Sequence, residues 1–330
     1  MVKMERKLYS IEDAKRLILN GNKLVITGDE SALDKLPKGN WIGGTIPYFM
    51  DVSQGKESRD MVFLEDQSEH STNFSIKVYT VDNQNQIAQN GFENGYTIVI
   101  IPTNSQSHID FSHNSLSYPN IFQNPIVGYI AGMHLDELGT KTAKVYNGQT
   151  GNKFEEGLVT MNIKLPDNKI GRIEIVNIFN QDKSSDIITF PKDGFKQDKC
   201  FINGVENNLV DFLSEKQHDI RFPLINNQNG AMINKSFQSI DEQKKEVNFY
   251  APLFKNETYM LSEKIVDYSA RFVNILPSEV KPTYACNCIL NYLYGDFSNK
   301  KFSLTYATTF GEIGYQLLNQ TLVYLVIDEM

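Results

Sequence analysis

Cysteine is scarce in this chain: Cys200, Cys286 and Cys288 are the only three in 330 residues. An odd, small number builds no disulfide framework, and reduced thiols fit a cytoplasm. Positive charge is also short, with 32 Lys and Arg against 40 Asp and Glu and a formal net charge of −8. The longest basic clusters are the pairs Lys244–Lys245 and Lys300–Lys301. Nucleic-acid affinity rests on clustered cations, so no nucleic-acid partner is expected. Long apolar runs are missing too: the most apolar stretches, such as Thr97–Ile101, are strand-sized, far below the roughly 20 residues of a membrane span. The first residues, MVKMERKLYSIEDAKR, lack the apolar core of a signal peptide. The expectation is a cytoplasmic chain that meets no membrane.

Catalytic signatures are absent as well. The sequence contains no G-x-G-x-x-G, no G-x-x-x-x-G-K-[ST], no G-x-S-x-G and no H-E-x-x-H. Cys286-Asn287-Cys288 is C-x-C, with no second cysteine pair to complete a tetrahedral site, so no metal is expected. His108, Asp110 and His113 have ligand chemistry but match no metal spacing. His134 beside Ala131-Gly132-Met133 reads as a hydrogen-bonded core histidine.

What is present is sheet-forming residues. There are 20 phenylalanines and 16 tyrosines, which favour strands. Phe74–Val81 alternates with period two, and Thr97–Ile101 and Leu322–Ile327 are continuous apolar runs. Strands are also expected at Lys23–Thr27, Ala143–Tyr146, Gly157–Ile163, Arg172–Ile178, Tyr284–Leu290 and Phe302–Thr308. Ser10 followed by Asp13 opens a helix that Gly21 ends. Further helices are expected at Asp29–Leu36, Asn207–Lys216 and Glu263–Ile275, and Asn104–Asn124 reads as a loop or surface helix. Strands and helices do not alternate regularly, so the pattern is α+β, with strand-rich mixed sheets flanked by helices.

Two segments share a turn-like composition. Trp41–Tyr48 (WIGGTIPY) and Ala307–Tyr315 (ATTFGEIGY) each follow a strand and mix Gly, Thr and Ile. Two such turns suit a duplicated architecture of two related halves; Gly and Thr are also common in turns, and spacing alone favours coincidence. Glu312, flanked by Gly311 and Gly314, is a carboxylate on a flexible turn, suited to a ligand's amine or amide. Asn319, Gln320 and Thr321 add neutral hydrogen-bonding groups that suit orienting a polar ligand better than acid–base chemistry.

Thr309–Thr321 (TFGEIGYQLLNQT) resembles the end of the FIST sensory domain, which closes on an aromatic–Gly–Glu–Ile segment and an Asn–Gln–Thr before a last strand. Tyr284–Gly295 (YACNCILNYLYG) is similar to the cysteine-containing segment upstream, and Ile42–Tyr48 (IGGTIPY) to a Gly-x-x-Thr-x-Gly-Glu turn, with Pro47 and Tyr48 in place of Gly-Glu. The resemblance implies an N-terminal-like part, 1–195, and a C-terminal-like part, 196–330, the latter the closer match. It makes related turns in both parts more credible. It also implies an intracellular, non-catalytic sensor of a small polar ligand such as an amino acid, read by a separate signalling protein. The ligand would be held by Gly43, Gly44, Thr45, Cys286, Asn287, Glu312, Asn319, Gln320 and Thr321. Some members of that family bind haem, so a haem-binding gas sensor is one alternative, although no histidine here falls on a matched motif. A cysteine-dependent hydrolase using Cys286 is a second, and a scaffold whose pocket is closed by Tyr48 and Phe49 a third.

Overall fold

The computed structural model describes residues 5–277 and 279–330. By packing, the chain forms two compact units. The first holds the chain up to Val176, Ile275–Leu317 and Thr321–Met330; the second is Asn177–Asn274 with Leu318–Gln320. Residue 195 therefore lies inside the second unit.

The first unit begins with β1 (Lys7–Ser10), α1 (Ile11–Leu19), β2 (Leu24–Gly28), α2 (Glu30–Leu33), β3 (Trp41–Thr45), the short strands β4 (Tyr48–Met50) and β5 (Gly55–Glu57), and β6 (Met61–Asp66). The expected capping box opens α1: Ser10 Oγ accepts from Asp13 N at 3.1 Å and donates to Asp13 Oδ2 at 2.7 Å. A second run has the same plan: β7 (Asn73–Tyr79), β8 (Gly95–Pro102), α3 (Gln106–Asn114), β9 (Ile126–Ala131), β10 (Val145–Asn147), β11 (Asn152–Phe154) and β12 (Leu158–Lys164). Helix α3 lies in the segment read as a loop or surface helix. It starts where Ser105 Oγ accepts from His108 N at 3.0 Å.

A third run opens with β13 (Lys169–Asn177) and is then interrupted by the second unit. That unit carries β14 (Ile188–Thr189), β15 (Gly194–Gln197), β16 (Lys199–Ile202), β17 (Val205–Asn208), α4 (Leu209–Glu215), β18 (Leu224–Gln228), β19 (Ala231–Lys235), β20 (Phe237–Asp241), β21 (Glu246–Leu253), β22 (Tyr259–Leu261) and α5 (Tyr268–Ile275). It has a six-stranded sheet, β17-β16-β14-β22-β18-β19, and a three-stranded one, β15-β21-β20. Leu209, Phe212 and Leu213 of α4 pack with Leu224, Phe237 and Phe249. Helix α5 is shorter than the expected Glu263–Ile275 because Asp267 caps it, accepting from Ala270 N at 2.9 Å. The third run resumes with β23 (Tyr284–Cys288), α6 (Ile289–Tyr294), β24 (Tyr306–Thr309), β25 (Glu312–Gly314), β26 (Gln316–Leu318) and β27 (Thr321–Glu329).

The three runs make three six-stranded sheets of one design: β1-β6-β2-β3-β10-β11, β7-β12-β8-β9-β25-β26 and β13-β27-β23-β24-β4-β5. At the centre of each lies a parallel pair joined through a helix: β2 and β3, β8 and β9, β23 and β24. Beyond the pair's second strand comes a short hairpin contributed by another run. The first run lends β4–β5 to the third, the third lends β25–β26 to the second, and the second lends β10–β11 to the first. The exchange closes a cycle of three. The two turns alike in sequence are two of its three corners, so the repeat is real but its order is three rather than two halves.

Strand register places three four-residue rows in equivalent positions. These are Phe63–Thr27–Gly44–Val145, Val159–Ile100–Tyr129–Glu312 and Val323–Cys286–Ala307–Phe49. Their side chains meet in one buried core. Thr27 Oγ1 donates to Tyr129 Oη at 3.2 Å, the Phe49 and Phe63 rings stack at 6.0 Å, and the Cys286 thiol donates to the Gly128 carbonyl at 3.2 Å. The α+β reading holds, and among the described residues no helix is long and apolar enough to cross a membrane.

Candidate functional site

Glu312 opens β25 rather than sitting on a turn, and it is fully buried. Its equivalents in the other two rows are Val145 and Phe49, so a carboxyl occupies a place that is apolar twice over. Thr321 donates to Oε2 from its hydroxyl at 2.9 Å and its backbone N–H at 3.3 Å. Burial is the leading cause that pushes this carboxyl well above the ordinary range; bonds from Thr321, Cys288 and Thr309 oppose it without a cation. Burial therefore favours the protonated form of Glu312. Its proton can go to Thr309 Oγ1, 3.4 Å away, whose own hydrogen then serves the Asn287 or Gly311 carbonyl at 3.3 and 3.2 Å.

A second buried acid, Glu65, accepts from Ala285 N at 2.8 Å and faces Arg6 Nη1 at 3.8 Å. Burial outweighs both partners and pushes it up to about 7.

Cys286 and Asn287 do not share a pocket. Neighbours in a strand point to opposite faces. Cys286 joins Glu312 in the three-row core, where burial first, and the carboxyl beside it second, push the thiol well above its usual range. Nucleophilic attack needs a thiolate, the form that this burial disfavours. Asn287 faces α6 on the far side, where its Oδ1 accepts from Asn291 Nδ2 at 2.8 Å.

That far side holds groups the sequence reading passed over. Tyr306 and Thr308, two apart in β24, lie on the Asn287 face, and Thr308 is the register partner of Asn287. All three are fully buried. Thr308 Oγ1 makes no hydrogen bond, and Asn287 Nδ2 and Tyr306 Oη find no partner other than one another. Tyr306 Oη lies where the Asn287 amide and the Tyr292 hydroxyl of α6 act on it. The Tyr292 ring in turn stands 6.0 Å from that of Tyr48, which stacks on His134 at 5.5 Å. The period-two spacing of Tyr306 and Thr308 was visible in the sequence, but which face of β24 they take was not.

Of the other expected residues, Gly43 and Gly44 serve close approach. A Cβ on Gly43 would stand 2.6 Å from the Ile26 carbonyl oxygen, and one on Gly44 2.6 Å from Ile100 Cγ2 and 2.8 Å from Tyr129 Oη. Thr45 Oγ1 donates to the Gly132 carbonyl at 2.7 Å and accepts from Lys144 N at 2.9 Å. It borders a cleft of about 10 Å³ with Asp29, Glu137 and Lys141, room for about one water. Asn319 and Gln320 belong to the second unit. Asn234 Nδ2 donates to the Asn319 carbonyl at 3.0 Å. Gln320 accepts from Ser236 Oγ at 2.6 Å and donates to the Arg221 carbonyl at 2.9 Å and to Tyr268 Oη at 3.1 Å. Thr321 alone of that trio stays with Glu312.

His134 uses both ring nitrogens. Nδ1 accepts from Asp136 N at 3.2 Å, which leaves Nε2–H for Glu57 at 2.8 Å, so the ring offers a haem iron no free nitrogen. Among the described residues no three His, Cys, Asp or Glu side chains cluster closely enough to hold a metal.

Residues 9–328 match the profile of a family of unknown function, DUF6976, and the chain belongs to that family. No curated protein and no solved structure matches it.

Proposed function

We propose that this DUF6976 member is a cytoplasmic small-molecule-binding sensory protein that does no chemistry itself and signals through a separate partner. The observation that carries this reading is a patch of three fully buried polar groups on one sheet face beneath α6: Thr308 Oγ1, which makes no hydrogen bond, and Asn287 Nδ2 and Tyr306 Oη, which have no partner but each other. Each unsatisfied group costs about 1–3 kcal/mol, and a polar ligand that satisfies them recovers that free energy. An amide donor, a phenol and an alcohol suit a small neutral or zwitterionic molecule bearing amide, carbonyl or hydroxyl groups. On the other side of the sheet, burial favours the protonated forms of Glu312 and Cys286, which suits binding over catalysis. Three free, buried cysteines suit a reducing compartment.

Thermal-shift screening with amino acids, their amides and small polyols tests the proposal. A compound that raises the melting temperature should lose about tenfold in affinity on Thr308→Val. That substitution keeps the shape and removes an unpaired hydroxyl, so stability should hold or rise. A panel in which nothing shifts the melting temperature sinks the reading. So does an unchanged affinity in Thr308→Val, or a crystal structure in which water alone bridges the three groups.

A further inference from the structure

The second unit holds a buried amine with no partner of its own. Lys235 ends β19, opposite the buried Leu224 of β18, and is only 3% exposed. Its Nζ stands 5.1 Å from the centre of the Phe254 ring. Among the described residues no hydrogen-bond acceptor or carboxylate lies within bonding distance of it. An ammonium in that position loses its hydration and gains only a ring face, which offsets little of the cost. The charge is therefore disfavoured, and burial draws the amine down to about 8, with Glu257 pulling weakly the other way.

The surroundings are organised. Phe254 opens the turn between β21 and β22, and its N–H donates to Tyr259 Oη at 2.8 Å. Tyr259 Oη donates to Glu257 Oε2 at 2.9 Å, and Gln228 Nε2 donates to Glu257 Oε1 at 3.3 Å. Phe254 and Glu257 are both partly exposed, so the cover over Lys235 is one turn thick. A carboxylate fixed by two donors and an amine drawn below the usual lysine range under a single turn are the parts that carbonyl capture needs.

We infer that Lys235 is a reactive amine that forms a reversible imine with a small aldehyde reaching it beneath the Phe254–Glu257 turn. The neutral amine nitrogen adds to the carbonyl carbon. The carbon–oxygen double bond then gives way to carbon–nitrogen, and the two amine hydrogens leave with the oxygen as water. Glu257, beyond direct bonding distance, carries a proton between nitrogen and oxygen through an intervening water. No oxidant or reductant is consumed. The site lies wholly in the second unit and does not depend on the ligand proposed for the first.

The test is reductive trapping on the full chain: propionaldehyde and cyanoborohydride at pH 7, with every lysine-containing peptide quantified by mass spectrometry. The free-base share of an amine near 8 exceeds that of an exposed lysine on the order of 300-fold at this pH. Part of that advantage is lost to lower intrinsic nucleophilicity. Lys235 should therefore be propylated at least tenfold faster than the exposed Lys192, Lys199 and Lys244. Glu257→Gln should slow Lys235 several-fold and leave those three unchanged. Capture at Lys235 no faster than at the exposed lysines overturns the inference. So does capture that appears only at urea concentrations that unfold the chain.

Discussion

Cys286 and Asn287 are consecutive in β23 yet serve opposite sides of the sheet. The thiol donates to the Gly128 carbonyl at 3.2 Å, while the amide accepts from Asn291 of α6 at 2.8 Å. One side is the three-row core with its buried acid, the other the buried polar face beneath the helix. A ligand on one side meets Glu312 or Asn287, never both. Four consequences can be measured.

Glu312 gives a pH signature. Its carboxyl is raised in the folded chain, so its stabilising contribution is full below the unfolded value near 4.5 and is lost as pH rises toward the folded one. Glu312→Gln has no proton to lose. Urea unfolding should show the variant gaining on the parent as pH rises from about 4.5 to 8, with little difference at the acid end. Parallel pH profiles would mean that Glu312 is ionised in the fold.

Glu65 should behave differently because it has a cation. It titrates near 7 in the folded chain, so it contributes a fall in stability from about pH 4.5 to 7. Glu65→Gln removes that fall but leaves Arg6 buried without its partner. That variant should be less stable than the parent at every pH, by roughly 3–5 kcal/mol where the pair is ionised. Equal or greater stability at pH 8 would show that Arg6 reaches water.

Closing the three-run cycle demands close approach at two glycines. A Cβ on Gly128 would fall 1.8 Å from the Val99 carbonyl oxygen, which is backbone and cannot swing aside. Gly128→Ala should fail to fold or lose most of its stability. Gly44→Ala meets side chains at 2.6 and 2.8 Å and should cost about 1–3 kcal/mol. Circular dichroism melts that leave Gly128→Ala within a degree of the parent would contradict the β8–β9 packing.

All three thiols are buried, and burial pushes Cys200 to about 12. Ellman's reagent at pH 8 should label none of them within minutes and all three once the chain is unfolded. Fast labelling of Cys286 in the native state would revive the hydrolase reading.

Local chemistry wrote much of this protein. Ser10 with Asp13, and Gly21 beyond, bound α1 because caps act within a few residues. The period-two run from Phe74 and the apolar run from Thr97 could hardly be anything but strands. The opposite facing of Cys286 and Asn287 also follows from strand periodicity, once β23 is accepted as a strand. The order of the repeat does not. Trp41–Tyr48 and Ala307–Tyr315 show two corners because both carry Gly and Thr, while the third corner, after β9, reads Ala131-Gly132-Met133 and hides among apolar residues.

Only the tertiary structure decided what each polar residue does. Phe49 pairs with Ala307, and Val145 with Gly44, across stretches of chain too long for any local pattern to report. Those pairings bury Glu312 where its counterparts are Val145 and Phe49, and leave Thr308 facing a helix with no partner for its hydroxyl. The sequence by itself determined which segments are strands and helices, since backbone preference and side-chain period are local. Which carboxyl is raised, which hydroxyl is unpaired and which lysine is drawn down depend on how much water each group keeps. That is set by the long-range pairing of sheets.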